Sequence, residues 1–190
     1  MNSWSLPQRA QIGKNIYDLH TDYRDILEIF RYLDDPAYGD FLRWQIALAL
    51  FYEQPVPVQD QQEAIDYLCR FIRCGEPEAP AGAKVLDWQQ DAPLIVADIN
   101  AAAGQEIRSL PYLHWWSFMA WFHAIGEGQL SAVVAIRQKL ARGKKLEPWE
   151  QKFYRENRQR VELKKRDSRQ TQAEKDRLEA ILSQKRQVKL

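Results

Sequence analysis

Between Asp87 and Arg137 the chain carries Trp88, Tyr112, Trp115, Trp116, Phe118, Trp121 and Phe122, centred on Leu113-His114-Trp115-Trp116. Rings of this kind each bury roughly 150–250 Å² when they pack. So many at close spacing must fill a core or form a surface for another protein. The same stretch holds no nucleophile motif, no metal-ligand spacing and no glycine-rich phosphate loop. It therefore directs the reading toward packing and assembly rather than catalysis.

Around this stretch the apolar period is helical. Gln11-Ile12-Gly13-Lys14-Asn15-Ile16-Tyr17 has a turn signal between short apolar pairs and predicts a small hairpin. From Thr21, a potential cap, Tyr23, Ile26, Leu27, Phe30 and Leu33 follow at helical spacing until Asp34-Asp35-Pro36. A largely buried helix is expected from about Tyr38 to Tyr52, before Pro55 and Pro57. A third opens at Asp60, with Glu63 three residues on as in a capping box, and closes at Gly75. The prolines and glycine of residues 76–82 make a loop. A fourth helix starts near Asp91 or Ala92, with Pro93 in its first turn, and stops at Gly104. The aromatic helix then runs from about Tyr112 to Ile125, apolar on two faces, as an interior or partnered helix must be. Another helix follows Gly126-Glu127-Gly128, and Pro148 begins a long charged one whose apolar residues are too sparse for a heptad seam.

The expected fold is mainly α: a compact multi-helix bundle with a small N-terminal β-hairpin and a long charged C-terminal helix. Three regions are expected: residues 1–20 with the hairpin, a helical body over 21–143, and a basic, partly flexible helical tail over 144–190. No apolar run approaches the ~18 residues of a membrane span, and the first residues lack the basic and apolar parts of a signal peptide. A cytoplasmic protein is the expectation. Cys69 and Cys74 sit five apart in a helical pattern without histidine partners, so they read as reduced thiols.

The formal charge of +1 conceals an asymmetry. Residues 137–190 carry 18 Lys and Arg against 8 Asp and Glu, a net of +10, and the remainder carries −9. An acidic body with a basic tail suits self-association or an acidic protein partner. Phosphate binding is the weaker reading, because acids are interleaved with the bases and aromatics are scarce there.

Asp87, Asp91 and Asp98 could bring carboxylates near one another along a helix entry, but no partners stand at a metal-ligand spacing, and helix capping by Asp87 or Asp91 at a positive helix end is the simpler reading. His114 and His123, nine residues apart, would lie on different sides of one helix at ~100° per residue. His114 reads as a packed, hydrogen-bonded ring. No catalytic, metal or cofactor-binding residues are expected, and no cofactor. Trp88, Leu113, His114, Trp115, Trp116, Phe118, Trp121 and Phe122 are the candidate core or interaction residues. Lys144, Lys145, Arg155, Arg158, Arg160, Lys164, Lys165 and Arg166 are the candidate basic assembly residues.

These residues resemble a known family. Gly13 through Tyr17, Thr21-Asp22-Tyr23-Arg24, Leu50-Phe51-Tyr52, Gln62-Glu63-Ala64-Ile65 and Phe71-Ile72 look like its N-terminal half. Asp87-Trp88, Asp91-Ala92, Leu113-His114-Trp115-Trp116 with Phe118, and Ile136-Arg137 look like its C-terminal half. The family is that of the small proteins encoded between the tail tube and tape measure genes of siphophages and prophages of Gram-positive bacteria. The likeness covers roughly residues 11–166.

The resemblance implies a tail assembly chaperone, helical and prone to oligomerise. Such a protein coats the tape measure protein in the host cytoplasm, while the tail tube protein polymerises, and is absent from the finished virion. It also implies a self-oligomer or a shorter chaperone form as partner, and no membrane. In this reading the helical body contacts the tape measure protein and residues after about Lys144 serve assembly. Two other readings stay open: a tail completion or connector component of the virion, and a basic-tailed nucleic-acid-binding regulator.

Overall fold

Helical spacing of the apolar residues dominates the chain, and the structure, a computed structural model, is mainly α-helical. It describes residues 4–78, 80, 82–164 and 172–184. Strands β1 (Arg9–Ile12) and β2 (Asn15–Asp18) come first. Helices follow in the order α1 (Tyr23–Leu33), α2 (Asp40–Phe51), α3 (Gln61–Ile72), α4 (Ala92–Ala103), α5 (Trp115–His123), α6 (Gln129–Ala141), α7 (Pro148–Glu156), α8 (Arg158–Val161) and α9 (Gln172–Gln184). The chain groups into two units. Unit one draws on Met1–Glu78, Tyr112–Trp116 and Arg166–Leu190; unit two draws on Ala79–Pro111 and Ser117–Lys165. This grouping cuts across the partition at residues 20 and 143, which follows sequence character alone.

Unit one begins with the hairpin. β1 and β2 pair antiparallel with Ile12 opposite Asn15, and the turn between them needs the positive φ of Gly13. Two short strands are marginal in water, and α3 supports them. The Glu63 carboxylate accepts from the Gly13 amide at 2.9 Å, and the Tyr67 hydroxyl donates to the Arg9 carbonyl at 3.2 Å. The capping box expected at Asp60 and Glu63 is therefore not made: Glu63 is committed to the hairpin and Asp60 makes no side-chain cap bond. Asp22, not Thr21, caps α1, accepting from the Arg24 amide, while the Thr21 hydroxyl lies 2.7 Å from that of Tyr112. The core of this unit holds Ile12, Ile26, Ile29, Ile46, Phe51, Tyr52, Leu68 and Phe71, all fully buried. Across α1 and α2, Tyr32, Tyr38 and Ile46 form a second apolar group, against which Leu178, Ile181 and Leu182 of α9 pack.

Unit two is built on α4, α6, α7 and α8. Val133, Ile136 and Val161 are buried together, with Leu94, Leu146, Phe153 and Tyr154 around them. Gly104 ends α4 in the left-handed region, as its position in the sequence predicts. Asp98 of α4 accepts from the Leu130 amide in the first turn of α6, so a carboxylate occupies the positive end of that helix. The approach is close enough that a Cβ on Gly128 would come within 2.9 Å of the Asp98 carboxylate.

Two expectations are corrected here. The long helix from Pro148 stops at Glu156, where the Asn157 side chain donates to the Phe153 carbonyl, and the single turn of α8 comes next. The free carbonyls of Arg160 and Val161 accept instead from Arg137, which fixes the helix end. The aromatic helix starts at Trp115 rather than Tyr112, because Leu113 and His114 lie extended beside Asp22.

Candidate protein-interaction site

Leu113-His114-Trp115-Trp116 is tied into unit one by its backbone. The Leu113 carbonyl accepts from the Tyr23 amide at 2.9 Å, the Leu113 amide donates to the Asp22 carboxylate at 2.9 Å, and the Trp115 amide donates to the Thr21 carbonyl at 2.8 Å. The His114 ring is buried between two fixed partners. Its Nδ1 is 3.0 Å from the Trp116 amide and its Nε2 is 3.1 Å from the Pro7 carbonyl. An amide only donates and a carbonyl only accepts, so this ring is neutral, with its proton on Nε2. Burial holds its pKa below the ordinary value, with the Pro7 carbonyl acting weakly in the other direction.

The two indoles finish α3. Trp115 Nε1 donates to the Ile72 carbonyl and Trp116 Nε1 to the Phe71 carbonyl, each at 2.9 Å. Those carbonyls belong to the last turn of a helix, where intrahelical partners run out. Trp115 is fully buried with its edge toward Phe30; Trp116 is half-buried and lies tilted on Phe71. The element is therefore chiefly an anchor, and Trp116 reaches a cleft, which it lines with Gln11, Tyr67, Arg70 and Gly75.

The rest of the aromatic stretch packs within unit two. Phe118 is buried and, with half-buried Phe122 one turn later, meets Trp88 at ring separations of 6.2 and 5.2 Å. Trp121 is half-buried. Among the basic residues, Lys144, Lys145 and Arg155 are exposed. Arg158 pairs with Glu162 at 2.7 Å, Arg160 reaches Gln129, and the Lys164 amide donates to Gln90. Lys165 and Arg166 lie outside the described residues.

Sequence reasoning missed the most heavily bonded residue of unit two. Arg137 and Asp91 form a bidentate ion pair, at 2.6 and 2.9 Å, with side chains only 4% and 2% exposed. Arg137 Nε also donates to the Val161 carbonyl, and its terminal nitrogens to the carbonyls of Val85 and Arg160. All five guanidinium N–H donors are used, which an ammonium could not do. Asp91 additionally accepts from the Asp87 amide. Asp87 closes the turn before α4, accepting from the amides of Gln89 and Gln90, and caps no helix there. Burial works against its charge, but those amides and Lys84 outweigh it and lower its pKa. Forty-six residues separate Arg137 from Asp91; a local pattern carries no signal of that pairing.

An open apolar surface lies on α2. Phe41, Leu42, Leu48, Ala49, Pro55 and Val56 line a cleft of about 360 Å³ with Leu182 of α9 at its edge. Phe41 is 78% exposed beside it, and Val58, just after the cleft-lining Val56, is 82% exposed. The Gln54 Oε1 on its wall is buried without a hydrogen-bond partner among the described residues. Among the described residues no group of three or more His, Cys, Asp and Glu is placed to hold a metal ion, and no helix is long and apolar enough to cross a membrane.

Residues 4–163 match the family described as bacteriophage Gp15 protein. The chain belongs to that family. No curated protein and no solved structure matches it. As a Gp15-family protein it is a bacteriophage structural or assembly protein. The matched region holds the Leu-His-Trp-Trp anchor, the Asp91–Arg137 pair and the α2 cleft; α9 falls outside it.

Proposed function

We propose that this Gp15-family protein is a tail assembly chaperone: it binds the tape measure protein and aids tail tube assembly, without catalysis. The observation that carries the reading is the apolar cleft on α2 with Phe41 standing open beside it. Exposed apolar patches of this sort mark protein contacts. A tape measure protein is a long helical chain with apolar stripes, and helices dock into such grooves through side chains at i, i+3 and i+4. Exposed Lys144, Lys145 and Arg155 supply the assembly side of the role, toward another copy or the acidic faces of tail tube subunits.

Co-expression with tape measure fragments tests this. The expected result is a stable complex that Phe41→Asp weakens at least tenfold without loss of helix content. Mass spectrometry of purified phage separates the alternatives, because a chaperone is missing from the particle. Finding the chain there in stoichiometric amount would establish a tail completion or connector component instead.

A further inference from the structure

The face of α1 and α2 that α9 covers is better buried than its cover. Tyr32 and Ile46 are 1% and 0% exposed, whereas no described side chain of α9 is fully buried. α9 holds on through Leu178, Ile181 and Leu182, at i, i+3 and i+4, and through two ion pairs: Glu174 with Arg31 at 3.6 Å and Arg177 with Glu28 at 3.1 Å. A thirteen-residue helix is marginal by itself in water, so its docked state depends on these few contacts. The face lies inside the family-matched region and its cover lies outside. The cleft at Phe41 and Gln54 Oε1, which has no hydrogen-bond partner among the described residues, continue the same surface.

We propose that the α1–α2 face is a docking site for an amphipathic helix of another protein, and that α9 is its intramolecular stand-in. The occupied site shows what it selects: apolar residues at i, i+3 and i+4, a carboxylate four residues before the first of them, and a guanidinium immediately before it. Arg31 and Glu28 read the two charges; Tyr32, Tyr38, Leu42, Ile46 and Leu50 receive the apolar edge. A tethered competitor acts at an effective concentration of order millimolar, so α9 sets a threshold that an incoming helix must exceed. The proposal rests on the chaperone reading only in that both require a helical partner; it does not require a tape measure segment.

The test uses the full chain carrying Leu178→Ala, Ile181→Ala and Leu182→Ala, which keeps the residues after α8 but removes their grip. A fluorescent peptide of residues 172–184 is titrated to about millimolar concentration and followed by anisotropy. Saturable binding to the triple variant is expected, at least tenfold tighter than to the unaltered chain. Adding Leu42→Asp to the triple variant abolishes it. Hydrogen exchange provides a second reading: amides of α1 and α2 lose protection in the triple variant and regain it with peptide. A triple variant with native helix content that neither binds the peptide nor exchanges faster overturns the proposal. So does sedimentation showing that unaltered chains already exchange α9 between copies, since the occupant would then be a second copy. Failure of tape measure co-purification alongside peptide binding sinks the chaperone reading and leaves the docking site standing.

Discussion

The end of α3 in unit one and the end of α8 in unit two meet the same need by opposite chemistry. Each leaves carbonyls without intrahelical partners. In unit one, two indole N–H groups satisfy Phe71 and Ile72, and the rest of each indole adds apolar packing. In unit two, one guanidinium satisfies Arg160 and Val161, and its charge then needs Asp91. The neutral solution degrades gradually as atoms are removed. The charged one fails abruptly, because removing either partner strands the other away from water.

The largest effect should follow from Arg137→Met. It leaves the Asp91 carboxylate buried without its ion pair and takes the guanidinium from three carbonyls, for a loss of ~3–5 kcal/mol in urea unfolding. Arg137→Lys should recover little of it, since a single ammonium cannot span five acceptors. The double variant Arg137→Met/Asp91→Leu should recover most of it; a double variant as unstable as the single would show that the bonds to the carbonyls, not the stranded charge, dominate.

Trp115→Phe comes next, at about 2 kcal/mol, from a smaller ring and a part-buried Ile72 carbonyl left without its indole donor. Trp116→Phe should cost under ~1 kcal/mol, because that indole is half-buried and water can replace its bond. Equal losses at the two positions would remove the distinction between anchor and rim.

A pH effect of smaller size separates the two ends further. His114 has its pKa lowered in the folded chain, so the unfolded chain takes up the proton first as pH falls. The stability from the neutral ring is complete above the ordinary value of 6.5 and is lost as pH drops from there through the folded-state value. Urea midpoints at about pH 7.5 and about pH 5.5 should differ, and His114→Gln should shrink the difference. The smallest change has the opposite sign. Cys74 stands at φ 55° just after α3, a conformation that costs a side chain. Cys74→Gly should raise stability by about 0.5–1 kcal/mol.

Much of this fold was legible locally. The hairpin at Gly13, the stop at Gly104, the closure of α3 near Gly75 and the helical class all follow from turn residues and apolar period. What stayed illegible depends on residues far apart in the chain. Thr21, Asp60 and Glu63 looked like caps, yet Thr21 meets Tyr112 and Glu63 holds the Gly13 amide fifty positions away. Asp91 looked like a cap and is half of a buried pair. The continuous charge pattern after Pro148 favoured one helix, because nothing in it announces that Arg137 claims the carbonyls of Arg160 and Val161. Of the candidate site, the aromatic stretch stood out at once, but its rings serve mainly as anchors. The cleft on α2 arose from residues that read simply as a buried helix.

The segment Tyr112–Trp116 belongs to unit one although 33 residues assigned to unit two precede it. During synthesis, then, residues 1–78 emerge with the Ile72 carbonyl lacking its indole donor and the place of Trp115 vacant. The α3 end of unit one cannot close until the ribosome has released residue 116, by which time α4 is already outside. A product cut after α3 would not be a smaller version of the protein but an unfinished one, with apolar surface exposed to quality-control proteases. Finishing the α3 end of the first unit thus requires translation of more than half the chain.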